Sequence, residues 1–195
     1  GIRGGAIEMA LYPDVAPVTS KHILALTKLG GYNTNHFFRV DQGFVAQVQD
    51  VETGRTVPIT PQLQVEAKKT VPLEVKEGLK HTKGVLSMAR WDNPHSGKSS
   101  FSILLGKAPH LDMQYAVFGR VTSGFEVLDK LQQLETRREG IFVMPNERIT
   151  ILSTFVYNSP GAGREEEAGS CARKYEDLLA RFNSQSKHLQ ELRTQ

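Results

Sequence analysis

The sequence predicts a mainly β fold, a closed antiparallel barrel capped by short helices, with an added helical segment at the C-terminus. Many short stretches of aromatic and β-branched residues alternate with turn residues, which is typical of antiparallel strands. Two stretches with helical spacing interrupt them, and the order of strand, helix, several strands, helix and strand argues against repeated βαβ units. A linker-like stretch at 158–163 separates these elements from a last segment of different character.

Seven segments predict strands. In the first, apolar and polar residues partly alternate, as in a half-buried strand, and the later ones are richer in aromatic and β-branched residues. The last segment places Ile149, Ile151 and Phe155 on one face. The predicted strands are 6–12, 36–40, 43–48, 84–89, 100–105, 116–121 and 148–157.

Proline and glycine mark the predicted helices. Pro17 suits the first turn of a helix, where its missing N–H costs nothing, and a glycine pair beginning at Gly30 ends that helix. A second, amphipathic helix is expected at 124–131. The Pro-punctuated stretch at 53–81 predicts a long surface excursion with room for a short helix at 61–69.

The segment after the linker carries a heptad pattern, which predicts one domain at 1–158 and a linker with an amphipathic helix at 159–195. Two rows of mostly apolar residues recur every seven positions, three residues apart. The rows are Ala168, Tyr175, Phe182 and Leu189, and Cys171, Leu178, Gln185 and Leu192. A lone helix of this length needs a surface for its apolar stripe. That surface is either the barrel itself, or a partner helix or a second copy that binds residues 164–195.

Composition excludes several function classes. The 195 residues include 24 basic and 21 acidic side chains, a net charge of +3 without a basic run, so no nucleic-acid partner is expected. No apolar stretch approaches the roughly 20 residues that span a bilayer. One cysteine, Cys171, rules out an internal disulfide and a multi-cysteine zinc site. The scattered histidines predict no metal site, and no GxSxG elbow of a serine hydrolase is present.

Four short motifs stand out in order along the chain. They are HFFRVDQGFVAQVQD at 36–50, VLSMA at 85–89, SSFSILL at 99–105 and HLDMQYAVFGRV at 110–121. Together they resemble the cyclophilin-type peptidyl-prolyl cis-trans isomerases, and the resemblance spans residues 4–157. GGYNTNHFFRV and TRREGIFVMP are similar to a divergent, plant-type group of that family. The resemblance implies an eight-stranded barrel with two helices.

The resemblance also implies catalysis of rotation about X–Pro bonds in protein or peptide segments. Unaided, that rotation has a barrier of ~18–20 kcal/mol and takes tens to hundreds of seconds. A catalyst needs an apolar slot for the proline ring, a donor that favours a pyramidal prolyl nitrogen, and polar groups that hold one side of the bond. It needs no cofactor, and none is expected.

Site residues follow from the resemblance. Arg39 falls at the catalytic arginine of the family, and Gln47 falls at the glutamine that orients it. Phe44 is implied as the floor of the proline pocket, and Val45 stands where methionine is usual. The other implied substrate-binding residues are Ala89, Arg90, Ser102, His110, Leu111 and Tyr115.

Besides Val45, four of these positions depart from the family pattern. Ser102 stands where a second pocket phenylalanine is usual, which removes apolar contact of order 1–3 kcal/mol. Arg90 replaces asparagine, His110 replaces tryptophan and Tyr115 replaces histidine. The replacements at His110 and Tyr115 occur as variants within the family. Ser102 predicts a wider pocket and slow turnover, and Ser102 together with His110 predicts weaker binding of cyclosporin.

A second interpretation is a non-catalytic module, which holds a proline-containing loop or is docked in a larger assembly through its C-terminal helix. Ser102 and Arg90 favour this interpretation, whereas Arg39, Phe44 and Gln47 together favour catalysis. A start at Gly1 fits a processed precursor, so we expect the secretory pathway or another processed compartment, with the cytoplasm as the alternative.

Overall fold

The computed structural model describes residues 4–158, and the predicted linker and helix at 159–195 lie outside the described residues. Within 4–158 the helices are α1 (Pro17–Lys28), α2 (Pro61–Ala67) and α3 (Phe125–Leu131), with a short 3₁₀ helix at Pro109–Leu111. The strands are β1 (Glu8–Leu11), β2 (His36–Asp41), β3 (Val45–Val48), β4 (Val85–Met88), β5 (Phe101–Leu104), β6 (Val117–Ser123), β7 (Thr136–Glu139), β8 (Phe142–Pro145) and β9 (Ile149–Thr150). The division at residue 158 stays a prediction.

Seven strands form one strongly curled antiparallel sheet in the order β1-β6-β4-β5-β3-β2-β9. Strands β7 and β8 form a separate hairpin, and β8 lies beside β2. The mainly β fold is confirmed. Closure into an eight-stranded barrel is not, because within residues 4–158 the edge strands β1 and β9 are not paired with each other. Helix α2 adds a third helix to the two that the resemblance implied.

Alternation along the strands divides the sheet into two faces. The inner face is apolar, and helices cover it with Leu26 of α1, Leu63 of α2 and Leu128 of α3. The strand residues in this core include Ala46, Val48, Leu86, Met88, Phe101, Ile103 and Phe118. Side chains therefore fill the concave side of the sheet.

Strand β2 contains one extra residue relative to β3. From Phe37 to Arg39 the register advances by two residues on β2 and by one on β3, which leaves Phe38 as the inserted residue of a bulge. Phe37 and Val40 are buried in the core, whereas Phe38 and Arg39, between them, are only partly buried and outside it. The bulge therefore turns two consecutive side chains away from the core.

The last predicted strand, 148–157, is wrong in length, because β9 contains only two residues. Ile149 and Ile151 pack against the core as expected, but Phe155 is 51% exposed. The N–H of Ile151 donates to the carbonyl of Asn35 at 2.8 Å, so the chain here follows the loop before β2 as irregular backbone.

The short helix expected within the excursion at 53–81 is present as α2. Thr60 caps its N-terminus, where its hydroxyl accepts from the N–H of Leu63 at 3.3 Å. His22 Nδ1 lies 2.8 Å from Glu66 Oε1 and joins α1 to α2. The excursion is thus tied to the core by a capped helix.

Glu74 caps α1 from the same excursion, and its removal is expected to lower the free energy of unfolding. Ala16, at the N-cap of α1, supplies no side-chain acceptor. The two oxygens of Glu74 instead accept from the N–H groups of Val18 at 3.0 Å and Thr19 at 2.8 Å. We expect Glu74→Ala to cost about 1–2 kcal/mol in urea unfolding, because both helix donors lose their partner. Glu77→Ala, at an exposed position nearby, is the control; equal losses in the two variants would contradict the capping role.

Candidate active site

A row of polar residues crosses four strands on the outer face of the sheet. Arg39 of β2 lies opposite Gln47 of β3. Gln47 lies opposite Ser102 of β5, which in turn lies opposite Ser87 of β4. Directly opposed residues of antiparallel strands share a face, so the four side chains form a line. The structure thereby brings together three predicted site residues and adds Ser87.

An apolar patch borders this row, one step along β3 and β5. It is a small cluster separate from the main core. The buried members are Val45, Leu104 and Ala108, with Phe44, Val85 and Leu111 packed against them. The ring of Phe44 lies 5.3 Å from the imidazole of His110, and both rings keep an accessible surface. Four predicted pocket residues, Phe44, Val45, His110 and Leu111, therefore share one location.

The Arg39 side chain is 20% exposed and contacts three neighbours. Its Nη2 donates to Asp41 Oδ2 at 3.2 Å. Its Cζ lies 5.2 Å from the ring centroid of Phe44 and 5.8 Å from that of Phe142. Arg39 Nε is buried and has no hydrogen-bond partner within residues 4–158. One ion pair and two aromatic rings thus set the position of the guanidinium group.

Gln47 is held by Ser100, one step further along the same face. Gln47 Nε2 donates to Ser100 Oγ at 3.1 Å, and that hydroxyl donates to the carbonyl of Val48 at 2.8 Å. Within the described residues Gln47 makes no hydrogen bond to Arg39, although the two are opposite each other. Its role in orienting Arg39 stays a prediction, and what the structure provides is an amide fixed beside the guanidinium group.

Three predicted site residues lie on the side of the row opposite the apolar patch: Ala89, Arg90 and Tyr115. The N–H of Ala89 donates to the carbonyl of Ser100 at 3.1 Å, which places Ala89 next to the residue that holds Gln47. The Cζ of Arg90 lies 4.5 Å from the ring centroid of Tyr115, and its Nη1 donates to the carbonyl of Trp91 at 2.8 Å. Two guanidinium nitrogens of Arg90, Nε and Nη1, therefore donate to carbonyls of this chain.

A buried hydrogen-bonded set lies beneath the Ser87 end of the row. His81 Nδ1 is 3.0 Å from Asp112 Oδ1, and His81 Nε2 is 3.0 Å from Ser87 Oγ. This is the residue order of a hydrolase triad, but Ser87 is 3% exposed and His81 is 2% exposed. A nucleophile needs access to its substrate, so the set serves as a scaffold that joins β4 to the turn after the 3₁₀ helix.

The pKa of Asp112 gives this scaffold a pH dependence. It is lowered first by the hydrogen bond from the backbone N–H of His81, then by that from the His81 ring, and further by Lys80. A carboxyl with a lower pKa in the folded state adds stability that is complete above its unfolded value, about 3.9, and is lost as the pH falls through the folded value. Between about pH 5 and pH 2 we therefore expect the Tm of Asp112→Asn to decrease less than that of the parent.

Thermal unfolding over this pH range measures the difference. Asp14→Asn, at an exposed position, is the control and should follow the parent. The Tm of Asp112→Asn should still decrease somewhat as the pH falls, because Glu66 contributes in the same way. Burial raises the pKa of Glu66, but hydrogen bonds from Lys69 and His22 outweigh that effect and lower it. Parallel curves for Asp112→Asn and the parent would show that the His81–Asp112 contact adds nothing.

Sequence reasoning missed several residues of this face. The sequence could have predicted Asp41, because a residue two positions after Arg39 on a strand lies on the same face of the sheet. Ser100 and Ser87 follow only from the strand register. Phe142 belongs to a hairpin that packs on β2. Because Phe142 is far from Arg39 along the chain, no local sequence pattern predicts that the two side chains are close.

Residues 4–158 contain no group of three or more His, Cys, Asp or Glu side chains placed to hold a metal ion. Each helix in that range is too short or too polar to cross a membrane.

The fold and the four sequence motifs match one family of proline isomerases. Residues 2–156 match the family model of the cyclophilin type peptidyl-prolyl cis-trans isomerases. The chain belongs to this family, and it is a peptidyl-prolyl cis-trans isomerase, as the four motifs predicted.

Two named relatives and one solved structure support membership of this family. The chain is 58% identical to peptidyl-prolyl cis-trans isomerase CYP23 of Arabidopsis thaliana over 170 residues, which cover 87% of this chain and 75% of the relative. It is 33% identical to peptidyl-prolyl cis-trans isomerase B of Escherichia coli over 161 residues, 78% of this chain and 94% of the relative. A crystal structure of a Cryptosporidium parvum cyclophilin type isomerase in the presence of the dipeptide Ala-Pro has a TM-score of 0.65 and 26% identity, covering 78% of this chain and 93% of that one.

Proposed function

We propose that the polar row and the apolar patch beside it are the site at which this isomerase turns X–Pro bonds of protein segments. The observation that carries the proposal is the strand register, which sets Arg39 opposite Gln47 with the ring of Phe44 5.2 Å from the guanidinium carbon. A fixed cation, a fixed amide and an apolar surface are the three elements that catalysis of this rotation requires.

Arg39 supplies the donor in this mechanism. Rotation about the X–Pro bond removes the overlap between the nitrogen lone pair and the carbonyl, and the nitrogen becomes pyramidal and basic. A guanidinium N–H that donates to that nitrogen forms a stronger hydrogen bond in the twisted state than in the planar ground state. It therefore lowers the barrier to rotation and does not only tighten substrate binding. The charge of Arg39 is permanent, so this step needs no change of protonation.

Phe44, Leu111 and Gln47 hold the substrate while the bond turns. The proline ring lies on the patch that Phe44 and Leu111 form, where burial of apolar area favours binding at about 25 cal/mol per Å². The amide of Gln47, fixed by Ser100, contacts the carbonyl of the substrate. Val45 is a buried member of this patch and supports the two partly exposed side chains from below.

Ser102 sets the strength of the site. It lies in the polar row between Gln47 and Ser87, where the family usually has an aromatic wall. A hydroxyl in place of a ring leaves one side of the proline ring in contact with water. We expect a raised KM and a slow isomerase with a broad choice of residue before proline.

A non-catalytic module is the second candidate, and Ser102 is the observation that favours it. In that case the outer face binds proline-containing loops without accelerating rotation. Docking through a partner helix or a second copy at 164–195 would fit either candidate, and these residues lie outside the described ones.

Exchange between the cis and trans forms of a short Ala–Pro peptide, followed by NMR with catalytic amounts of protein, separates the two candidates. The proposal predicts exchange that is faster than in buffer and proportional to protein concentration. Binding of the peptide with exchange at the spontaneous rate, on the scale of tens to hundreds of seconds, would support the module instead.

A further inference from the structure

The ring of Phe142 in the hairpin β7–β8 lies beside the candidate site. Phe142, the first residue of β8, packs edge-on against Phe38, with ring centroids 5.5 Å apart and planes at 68°. The same ring lies 5.8 Å from the guanidinium carbon of Arg39. One side chain of the hairpin thus contacts both residues that the bulge of β2 turns outwards.

The bulge explains how one ring meets two consecutive residues. On a regular strand, neighbours point to opposite faces. The inserted Phe38 breaks that alternation, so that Phe37 and Val40 stay in the core while Phe38 and Arg39 lie outside it. Phe38 then provides the surface on which Phe142 docks, and Arg39 lies within reach of the docked ring.

Arg39 has few other restraints. Its Nε is buried without a hydrogen-bond partner in the described part of the chain, and its one ion pair runs to a partly exposed Asp41 at 3.2 Å. An arginine on a long flexible stem needs several contacts to hold one orientation. The contacts that remain are the faces of Phe44 and Phe142, both within about 6 Å, where a cation is attracted to the ring.

The two rings differ in what else they do. Phe44 belongs to the apolar patch, so its loss removes substrate binding together with the contact to Arg39. Phe142 is outside that cluster and contacts Arg39 and Phe38 instead. Phe142 therefore offers a way to change the position of the guanidinium group and leave the proline slot intact.

We infer that Phe142 is a positioning residue of this isomerase, a ring supplied by the β7–β8 hairpin that holds the Arg39 guanidinium in its catalytic orientation. The inference rests on the proposed role of Arg39. It assigns a function to a hairpin that otherwise takes no part in the seven-stranded sheet. It also makes the hairpin a place at which activity is tuned without contact to the substrate.

Phe142→Leu and Phe142→Tyr test the inference. Leu keeps an apolar side chain but removes the ring, so we expect kcat on an Ala–Pro peptide to fall about five- to tenfold with KM within about twofold of the parent. Tyr restores the ring face, so its kcat should return to within about twofold of the parent. Loss in both variants, or in neither, would overturn the inference.

Phe125→Leu is the matched control. It removes a ring from an exposed position on α3, away from the polar row, the apolar patch and the two rings near Arg39. We expect its kcat to stay within about twofold of the parent. A loss as large as that of Phe142→Leu would trace the change in kcat to a general loss of packing and would overturn the inference.

The side-chain Nε–Hε resonance of Arg39 gives a readout independent of activity. A nearby aromatic ring changes the chemical shift of this resonance. We therefore expect the shift to move towards that of a free arginine in Phe142→Leu and to stay unchanged in Phe142→Tyr. If Arg39→Ala keeps full activity while the resonance responds as expected, the proposed catalytic role of Arg39 has failed and not the contact. If Arg39→Ala is inactive and Phe142→Leu changes neither kcat nor the resonance, the positioning role has failed.

Discussion

Arg39→Ala is expected to lower kcat/KM for an Ala–Pro peptide by about 10²- to 10³-fold, the usual loss when one positioned donor to the transition state is removed. The guanidinium group is the permanent cation of the polar row, and it lies opposite Gln47 beside the Phe44 patch. Most of the loss should appear in kcat, because the patch that binds the proline ring is unchanged. Steady-state kinetics with the parent and the variant measure it.

Two further variants sharpen this test. Arg39→Lys keeps the charge but loses the planar fork, so it should recover little of the lost activity. Arg138→Ala removes an arginine from an exposed position on β7 and should behave as the parent. A kcat/KM for Arg39→Ala within about threefold of the parent would remove Arg39 from the mechanism.

Ser102→Phe is expected to raise kcat/KM about tenfold, mainly by lowering KM. The new ring would extend from the polar row towards the apolar patch and bury about one side of the proline ring, a gain of order 1–3 kcal/mol before any cost of repacking. Because this contact is equal in the ground state and in the twisted state, kcat should change little. Affinity for cyclosporin should rise in parallel.

Ser102→Ala provides the control for size and polarity. It removes the hydroxyl without adding a wall, so KM should stay within about twofold of the parent. An unchanged KM in Ser102→Phe, with an intact fold by thermal unfolding, would mean that the pocket does not approach β5. A gain in Ser102→Ala equal to that in Ser102→Phe would attribute the weak site to the hydroxyl and not to the missing ring.

Local sequence signals predicted most of the elements well. Pro17 at the first turn of α1 and the glycine pair after it set both ends of that helix, because proline and glycine act through backbone geometry alone. Strands β3, β4 and β5 lie within the predicted segments, since their alternation reflects one buried face. The positions of Arg39, Gln47 and Phe44 in the motifs agree with their proximity in the fold.

Other features depend on contacts that the local pattern does not encode. Phe155 has the spacing of a strand residue, but the chain after Ile151 follows a loop and leaves it half exposed. The sequence TRREGIFVMP carried a family likeness without showing a hairpin, and the ring of Phe142 reached Arg39 only through docking on β2. The outward position of both Phe38 and Arg39 depends on the register between β2 and β3. The inserted residue Phe38 makes a bulge there, and the local pattern does not predict it.

A single titration tests whether binding and catalysis share the outer face. ¹⁵N-labelled protein is titrated with an Ala–Pro peptide while amide shifts of the protein and cis/trans exchange of the peptide are recorded together. We expect the largest shifts on β2, β3, β5 and the 3₁₀ helix, around Arg39, Gln47, Ser102 and Leu111, with exchange that accelerates over the same titration. Accelerated exchange with the shifts elsewhere, or shifts on this face with exchange at the spontaneous rate, would contradict that assignment.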